Sequence, residues 1–139
     1  MTIYEHKAQY YETDQMAIIH HSNYIRWMEE ARVDAMNQVG WPMDKIEAMG
    51  MVSPVLEINC KYLHMVRFNE TVTIKIKLTD AGKVKFHLSY EIANKETGEL
   101  CVTGESKHCF LHKDGTPVII TRELPEFYEA LQELQTDNK

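Results

Sequence analysis

The densest run of chemically capable side chains is Tyr10-Tyr11-Glu12-Thr13-Asp14-Gln15-Met16-Ala17-Ile18-Ile19-His20-His21-Ser22-Asn23-Tyr24. Directly after it, Tyr24, Trp27, Met28, Ala31, Ala35 and Val39 recur at helical spacing, so the run ends where a helix begins. A helix start offers unpaired backbone N–H groups and a partial positive charge. Such donors suit an oxyanion that develops during acyl transfer. Asp14, a few residues upstream, would place a carboxylate on the facing loop, which makes a plausible acyl-transfer site. Ser22 or Asn23 is expected to cap the helix, and Gly40 with Pro42 to stop it. The same residues admit plainer readings. A loop Asp is commonly a turn former, and Glu12, although it shares strand parity with Asp14, is expected to be solvated. His20 and His21 could bind a metal, but adjacent residues point differently and no third ligand is evident.

The elements that must position this run read as a strand, a long helix, four antiparallel strands and a closing helix. Residues 2 to 11 can form the first strand, and a second helical stretch lies near 43–50. From Val52 to Val66, Leu56, Ile58, Cys60 and Tyr62 alternate with polar residues. From Thr71 to Thr79 the apolar set is Val72, Ile74, Ile76 and Leu78; from Lys83 to Ala93 it is Val84, Phe86, Leu88, Tyr90 and Ile92. Each run gives a strand with one apolar and one polar face. A less regular strand spans Glu99–His112 and ends at His112-Lys113-Asp114-Gly115. Arg67-Phe68-Asn69-Glu70, Asp80-Ala81-Gly82 and Lys95-Glu96-Thr97-Gly98 are turn-like and are expected to join antiparallel neighbours. A last amphipathic helix follows Pro125, and the charged tail after Gln135 is expected to fray. Met28, Met36, Met49, Met51 and Met65 are expected in the core. A sheet with a single apolar face needs a cover, and the long helix is the sizeable candidate. The fold class is therefore α+β, with a long antiparallel sheet wrapped around one central helix.

At 139 residues, 1–139 is most simply one domain, and a 44% hydrophobic content is enough for a proper core. A net charge of −6 argues against a general nucleic-acid or anionic-membrane binder. Cys60, Cys101 and Cys109 form neither a disulfide framework nor a zinc pattern. The polar N-terminus shows no signal peptide, and no apolar run reaches the length of a membrane span. These features point to a reduced, cytoplasmic protein.

The run Tyr11-Glu12-Thr13-Asp14, then Ile18-Ile19-His20-His21-Ser22-Asn23-Tyr24, and on to Glu29-Glu30-Ala31-Arg32, resembles the signature of hotdog-fold thioesterases of the 4-hydroxybenzoyl-CoA thioesterase type. With the element order, the resemblance covers residues 3 to 120. It implies hydrolysis of an acyl-CoA thioester to a free acid and CoA, with Asp14 as nucleophile or as general base. His21 falls where the family places the backbone N–H that polarises the thioester carbonyl. Asn23 and Tyr24 would shape the helix start and the substrate site. Ala17 stands where the family has Gly, so no positive φ is expected there, and His20 stands where it has an aromatic residue. Glu29 and Glu30 are expected on polar or interface faces of the helix and are the reserve catalytic groups, because other hotdog branches use a glutamate there. No metal or redox cofactor is implied. A homodimer or homotetramer is expected, with active sites at the dimer interface. Lys61, Arg67, Lys85, Lys107 and Lys113 are candidates for holding the CoA phosphates. The alternatives are a hotdog hydratase or dehydratase using His21 with Glu29, and a non-catalytic acyl-CoA binding module.

Overall fold

Alternation of apolar and polar residues builds the sheet. A computed structural model describes residues 2–135, so the tail after Gln135 lies outside the described residues. The chain forms β1 (Tyr4–Lys7), a 3-10 turn at Tyr10–Glu12, α1 (Ser22–Gln38), α2 (Met43–Ala48), β2 (Met51–Val52), β3 (Val55–Tyr62), β4 (Thr71–Ala81) and β5 (Phe86–Asn94). There follow β6 (Leu100–His108), β7 (Leu111–His112), α3 (Ile120–Glu123), α4 (Pro125–Leu131) and a 3-10 turn at Gln132–Gln135. The main sheet has the order β1-β4-β5-β6-β3 and is antiparallel throughout. A small second sheet pairs β2 with β7.

The inward positions of β4 (Val72, Ile74, Ile76, Leu78) and β5 (Phe86, Leu88, Tyr90, Ile92) are all buried, as their alternation requires. They form one core with the α1 stripe of Tyr24, Trp27, Met28, Ala31 and Ala35. Trp27 and Met28 are fully enclosed. Burying side chains of this size stabilises the fold by roughly 1.5–3 kcal/mol each. Gly104 on β6 allows the approach of α1, since a Cβ there would stand 2.8 Å from Met28 Cε and 2.8 Å from the Asn59 carbonyl oxygen of β3.

Several expected boundaries move. The first strand is Tyr4–Lys7, and the chain then tightens into the 3-10 turn, so Glu12 and Asp14 are not related by strand parity. The run 52–66 divides into β2 and β3, with Ser53 and Pro54 between them. Arg67–Glu70 does not join neighbours: β3 pairs with β6, and β4 lies across the sheet beside β1 and β5. Local turn chemistry cannot reveal such a crossover. β3 is therefore an edge strand, and Val55, Leu56 and Tyr62 on it stay exposed. Of the methionines, Met28, Met36 and Met51 are core, whereas Met49 and Met65 are exposed.

A polar chain runs through the interior. Arg32 Nη1 donates to Tyr90 Oη (3.0 Å), Tyr90 Oη meets Ser106 Oγ (2.7 Å), and Ser106 Oγ meets His108 Nε2 (2.6 Å). Burial pushes the His108 imidazole down to about 3, helped by the Arg32 and His87 charges. The folded state therefore holds His108 neutral while the unfolded chain can protonate it. This contribution to stability is complete above about 6.5 and is lost progressively as pH falls toward 3, at up to about 1.4 kcal/mol per pH unit. Urea midpoints measured from pH 7 to pH 4 should fall more steeply for wild type than for His108→Phe. Parallel pH profiles would show that His108 protonates freely in the folded state.

Candidate active site

The 3-10 turn at Tyr10–Glu12 delivers the chain into a tight reversal. Asp14 N–H donates to the Ile18 carbonyl (2.8 Å), Ala17 N–H donates to the Asp14 carbonyl (3.1 Å), and Thr13 bridges Ile19. Ala17 closes the turn at φ 61°, in the left-handed region, so the loss of glycine there does not remove the positive φ as the sequence suggested. Ile19 N–H then donates to the Val66 carbonyl (2.9 Å), and Ile18 bridges Arg67, which fixes the loop against the segment after β3.

Asp14 is exposed, and its Oδ1 accepts the Met16 N–H (2.7 Å). His21 is the N-cap of α1, already in right-handed helical conformation (φ −57°, ψ −26°), with no side-chain cap. The two expected capping residues act otherwise. Ser22 Oγ bonds His20 Nδ1 (2.8 Å), and Asn23 Nδ2 donates to the Glu12 carbonyl (2.9 Å). The N–H groups of Ser22, Asn23 and Tyr24 go to His20 Nδ1, the His20 carbonyl and the His21 carbonyl, and none of these contacts engages the N–H of His21. Asp14, His21 and Tyr24 line one cleft of about 260 Å³ together with Ile18, Ile19 and residues 62–65. Tyr62 was missed as a cleft wall; its ring lies 5.5 Å from Tyr24 and 6.4 Å from His21. Tyr24 Oη accepts the Val66 N–H (3.3 Å), and burial raises its phenol above the ordinary value. Asn23 is buried, does not line the cleft, and ties the loop to the helix.

The histidine rings do not diverge as expected for adjacent residues but stack at 4.3 Å. Among the described residues, no group of three His, Cys, Asp or Glu side chains is placed to hold a metal. Glu29 is exposed and lines a different groove, with Tyr4, Glu30 and Asn37, so it is not brought together with His21. Of the candidate cations, Lys61 directly precedes the cleft-lining residues 62–65 and Arg67 lies two residues after them, Lys107 pairs with Glu57 (3.4 Å), and Lys85 and Lys113 lie in turns.

Glu12 overturns the expectation of a solvated side chain. It is only 5% exposed. Its carboxylate accepts Trp27 Nε1–H (2.7 Å) and the Gln9 N–H (2.8 Å) and meets His6 Nε2 (2.9 Å). Burial alone would raise this carboxyl, but the bonds from His6, Trp27 and Gln9 outweigh it and hold it below the ordinary glutamate value. His6 Nδ1 reaches Glu30 (3.1 Å), which also accepts Tyr4 Oη–H (2.7 Å), and burial with the Glu30 contact pushes the Tyr4 phenol up to about 12. A faint sequence signal existed: a Glu three residues after the start of a tight turn is half of a capping box.

The profile of the thioesterase-like superfamily matches residues 9–134. The chain belongs to the thioesterase-like superfamily. It is 31% identical over 129 residues to a Bacillus subtilis (strain 168) protein provisionally named acyl-CoA thioesterase YneP, covering 92% of this chain and 93% of that one. A provisionally named esterase of Aquifex aeolicus is 32% identical over 124 residues, covering 89% and 94%. The solved structure of a DHNA-CoA thioesterase from Staphylococcus aureus is 33% identical, with TM-score 0.88 over 95% of this chain and 89% of that one. This thioesterase-like chain thus has the hotdog fold that its sequence suggested.

The left-handed turn gives this thioesterase-like loop a direct test. Ala17→Gly should be neutral or raise stability by up to about 1 kcal/mol, because a Cβ at positive φ is strained. Ala17→Val should cost about 1–3 kcal/mol. Equal urea midpoints for the two variants would show that the turn conformation is not required.

Proposed function

We propose that this chain hydrolyses acyl-CoA thioesters to a free acid and CoA, with Asp14 as the catalytic carboxylate and the His21 backbone N–H as an oxyanion donor. The observation that carries the reading is that Asp14 and the N-cap of α1 line the same cleft. The thioester carbonyl would sit at the start of α1, where the dipole and the N–H favour negative charge on its oxygen. Asp14 would then attack the carbonyl carbon, expelling CoA thiolate and leaving a mixed anhydride for water to cleave. Alternatively it would take a proton from an attacking water. Tyr24 and Tyr62 would form the wall of the acyl site, and Asn23 would hold the loop to the helix. Lys61 and Arg67, which flank the cleft-lining residues 62–65 in sequence, would meet a CoA phosphate. The names of the relatives support a CoA thioester as substrate. The separation of His21 from Glu29 weighs against the hydratase reading.

The exposed apolar edge of β3 supports a homodimer or homotetramer. None of the helices among the described residues is long and apolar enough to cross a membrane.

Asp14→Asn should lower kcat by at least about 100-fold while leaving the fold intact, because Asp14 is exposed. Steady-state kinetics on an acyl-CoA it hydrolyses checks this, and retention of most activity would move the chemistry elsewhere. The two roles of His21 separate by substitution. His21→Ala keeps the backbone donor and should cost about tenfold, whereas His21→Pro deletes it and should cost about 100- to 1000-fold. The observed φ of −57° suits proline. A folded but inactive alanine variant would make the imidazole the reacting group.

A further inference from the structure

We infer that Glu12 is the positioning residue of the site: its buried carboxylate sets the Asp14 turn at a fixed distance from the start of α1. The inference rests on the assignment of Asp14 as the catalytic carboxylate.

Asp14 cannot hold its own place. Its backbone contacts go to Ile18 and Ala17 and its side chain to Met16, all within one turn, and the far side of that turn is tied to Val66 and Arg67 through Ile19 and Ile18. The attachment of its near side to β1 and α1 lies two residues upstream. The Glu12 carbonyl accepts both His20 N–H (2.9 Å) and Asn23 Nδ2–H (2.9 Å), which binds the 3-10 turn ahead of Asp14 to the start of α1. The Glu12 side chain reaches in the other direction. It binds Trp27, one turn further along α1 and fully buried, and it binds His6 on β1 and the Gln9 N–H. His6 in turn is held against Glu30 of α1 and packs its ring 4.6 Å from Trp27. Glu12 thus fixes the turn to β1 and α1 at once, using both its backbone and its side chain.

The chemistry of the contacts explains why a carboxylate is needed. Two N–H donors and a histidine ring nitrogen converge on two oxygens. A carboxylate accepts all three, whereas an amide must turn its NH₂ toward one of these partners. Glu12→Gln therefore keeps the shape and loses the convergence. A loosened turn places Asp14 badly against a bound thioester, and a misplacement near 1 Å costs on the order of 100-fold in rate.

The test is a double-mutant cycle with Asp14→Asn, read as kcat and KM on one acyl-CoA substrate, with circular dichroism as a folding control. Glu12→Gln alone should lower kcat by about 10- to 100-fold with KM changed less than about threefold. In the Asp14→Asn background it should cost less than about twofold more, because the group it positions is already gone. Trp27→Phe, which removes one donor and keeps a ring, should lower kcat by about three- to tenfold and supplies the result if Glu12→Gln fails to fold. A near-wild-type Glu12→Gln enzyme would overturn the inference. So would a rise in KM at constant kcat, or an equal loss in both backgrounds. Failure of the Asp14 assignment would show separately, as an Asp14→Asn enzyme with wild-type kcat; failure of the Glu12 inference alone leaves Asp14→Asn impaired and Glu12→Gln active.

Discussion

Burial of one stripe of α1 against a sheet with a single apolar face is the constraint on which the rest depends. Trp27, Met28, Ala31 and Ala35 cannot remain in water, and the inward residues of β4 and β5 have no other cover of that size. Once Met28 is seated over Gly104, the depth of the helix is set, and so is the place where its first turn emerges. The loop from β1 must then reach that first turn. It does so through the 3-10 turn, the left-handed Ala17 and the short bridges to Val66 and Arg67. The cleft is the space left between this loop, the helix start and the end of β3.

Two carboxylates two residues apart then receive opposite environments. Glu12 faces inward, has its charge met by several donors and is held ionised by them. Asp14 faces the cleft with one backbone donor on one oxygen. The saturated group suits structure, and the lightly bonded one suits chemistry. The same division recurs between the tyrosines: Tyr4 and Tyr24 hold fixed hydrogen bonds, while the ring of the half-exposed Tyr62 forms a cleft wall.

Much of this was legible because two periods dominate the sequence. Most of the 3.6-residue stripe of α1 was read, although Val39 falls just past the helix and Met36 was not placed in the stripe. The inward faces of β4 and β5 were read too, except that Val84 lies ahead of β5 and is only partly buried. The Asp14–His21 run could be placed at the helix start because the period changes at Tyr24. The crossover that puts β3 beside β6 was not legible, since pairing between distant strands leaves no local mark. Glu12 was read as solvated because an isolated Glu usually is. Its burial depends on Trp27, His6 and Gln9 converging from three separate segments. Ala17 misled for a related reason: the backbone conformation of a turn is imposed by its closing bonds, and alanine can be forced into it at modest cost.

The central claim is that a thioester bond is broken in this cleft. Its most direct test follows free thiol release from a panel of acyl-CoA esters, short and long, aliphatic and aromatic, by the purified protein. Thiol should appear with turnover, in equal amount to the free acid, for at least one member of the panel. Binding of acyl-CoA without thiol release, or addition or loss of water with the thioester intact, would contradict the claim and turn the cleft into a binding or hydratase site.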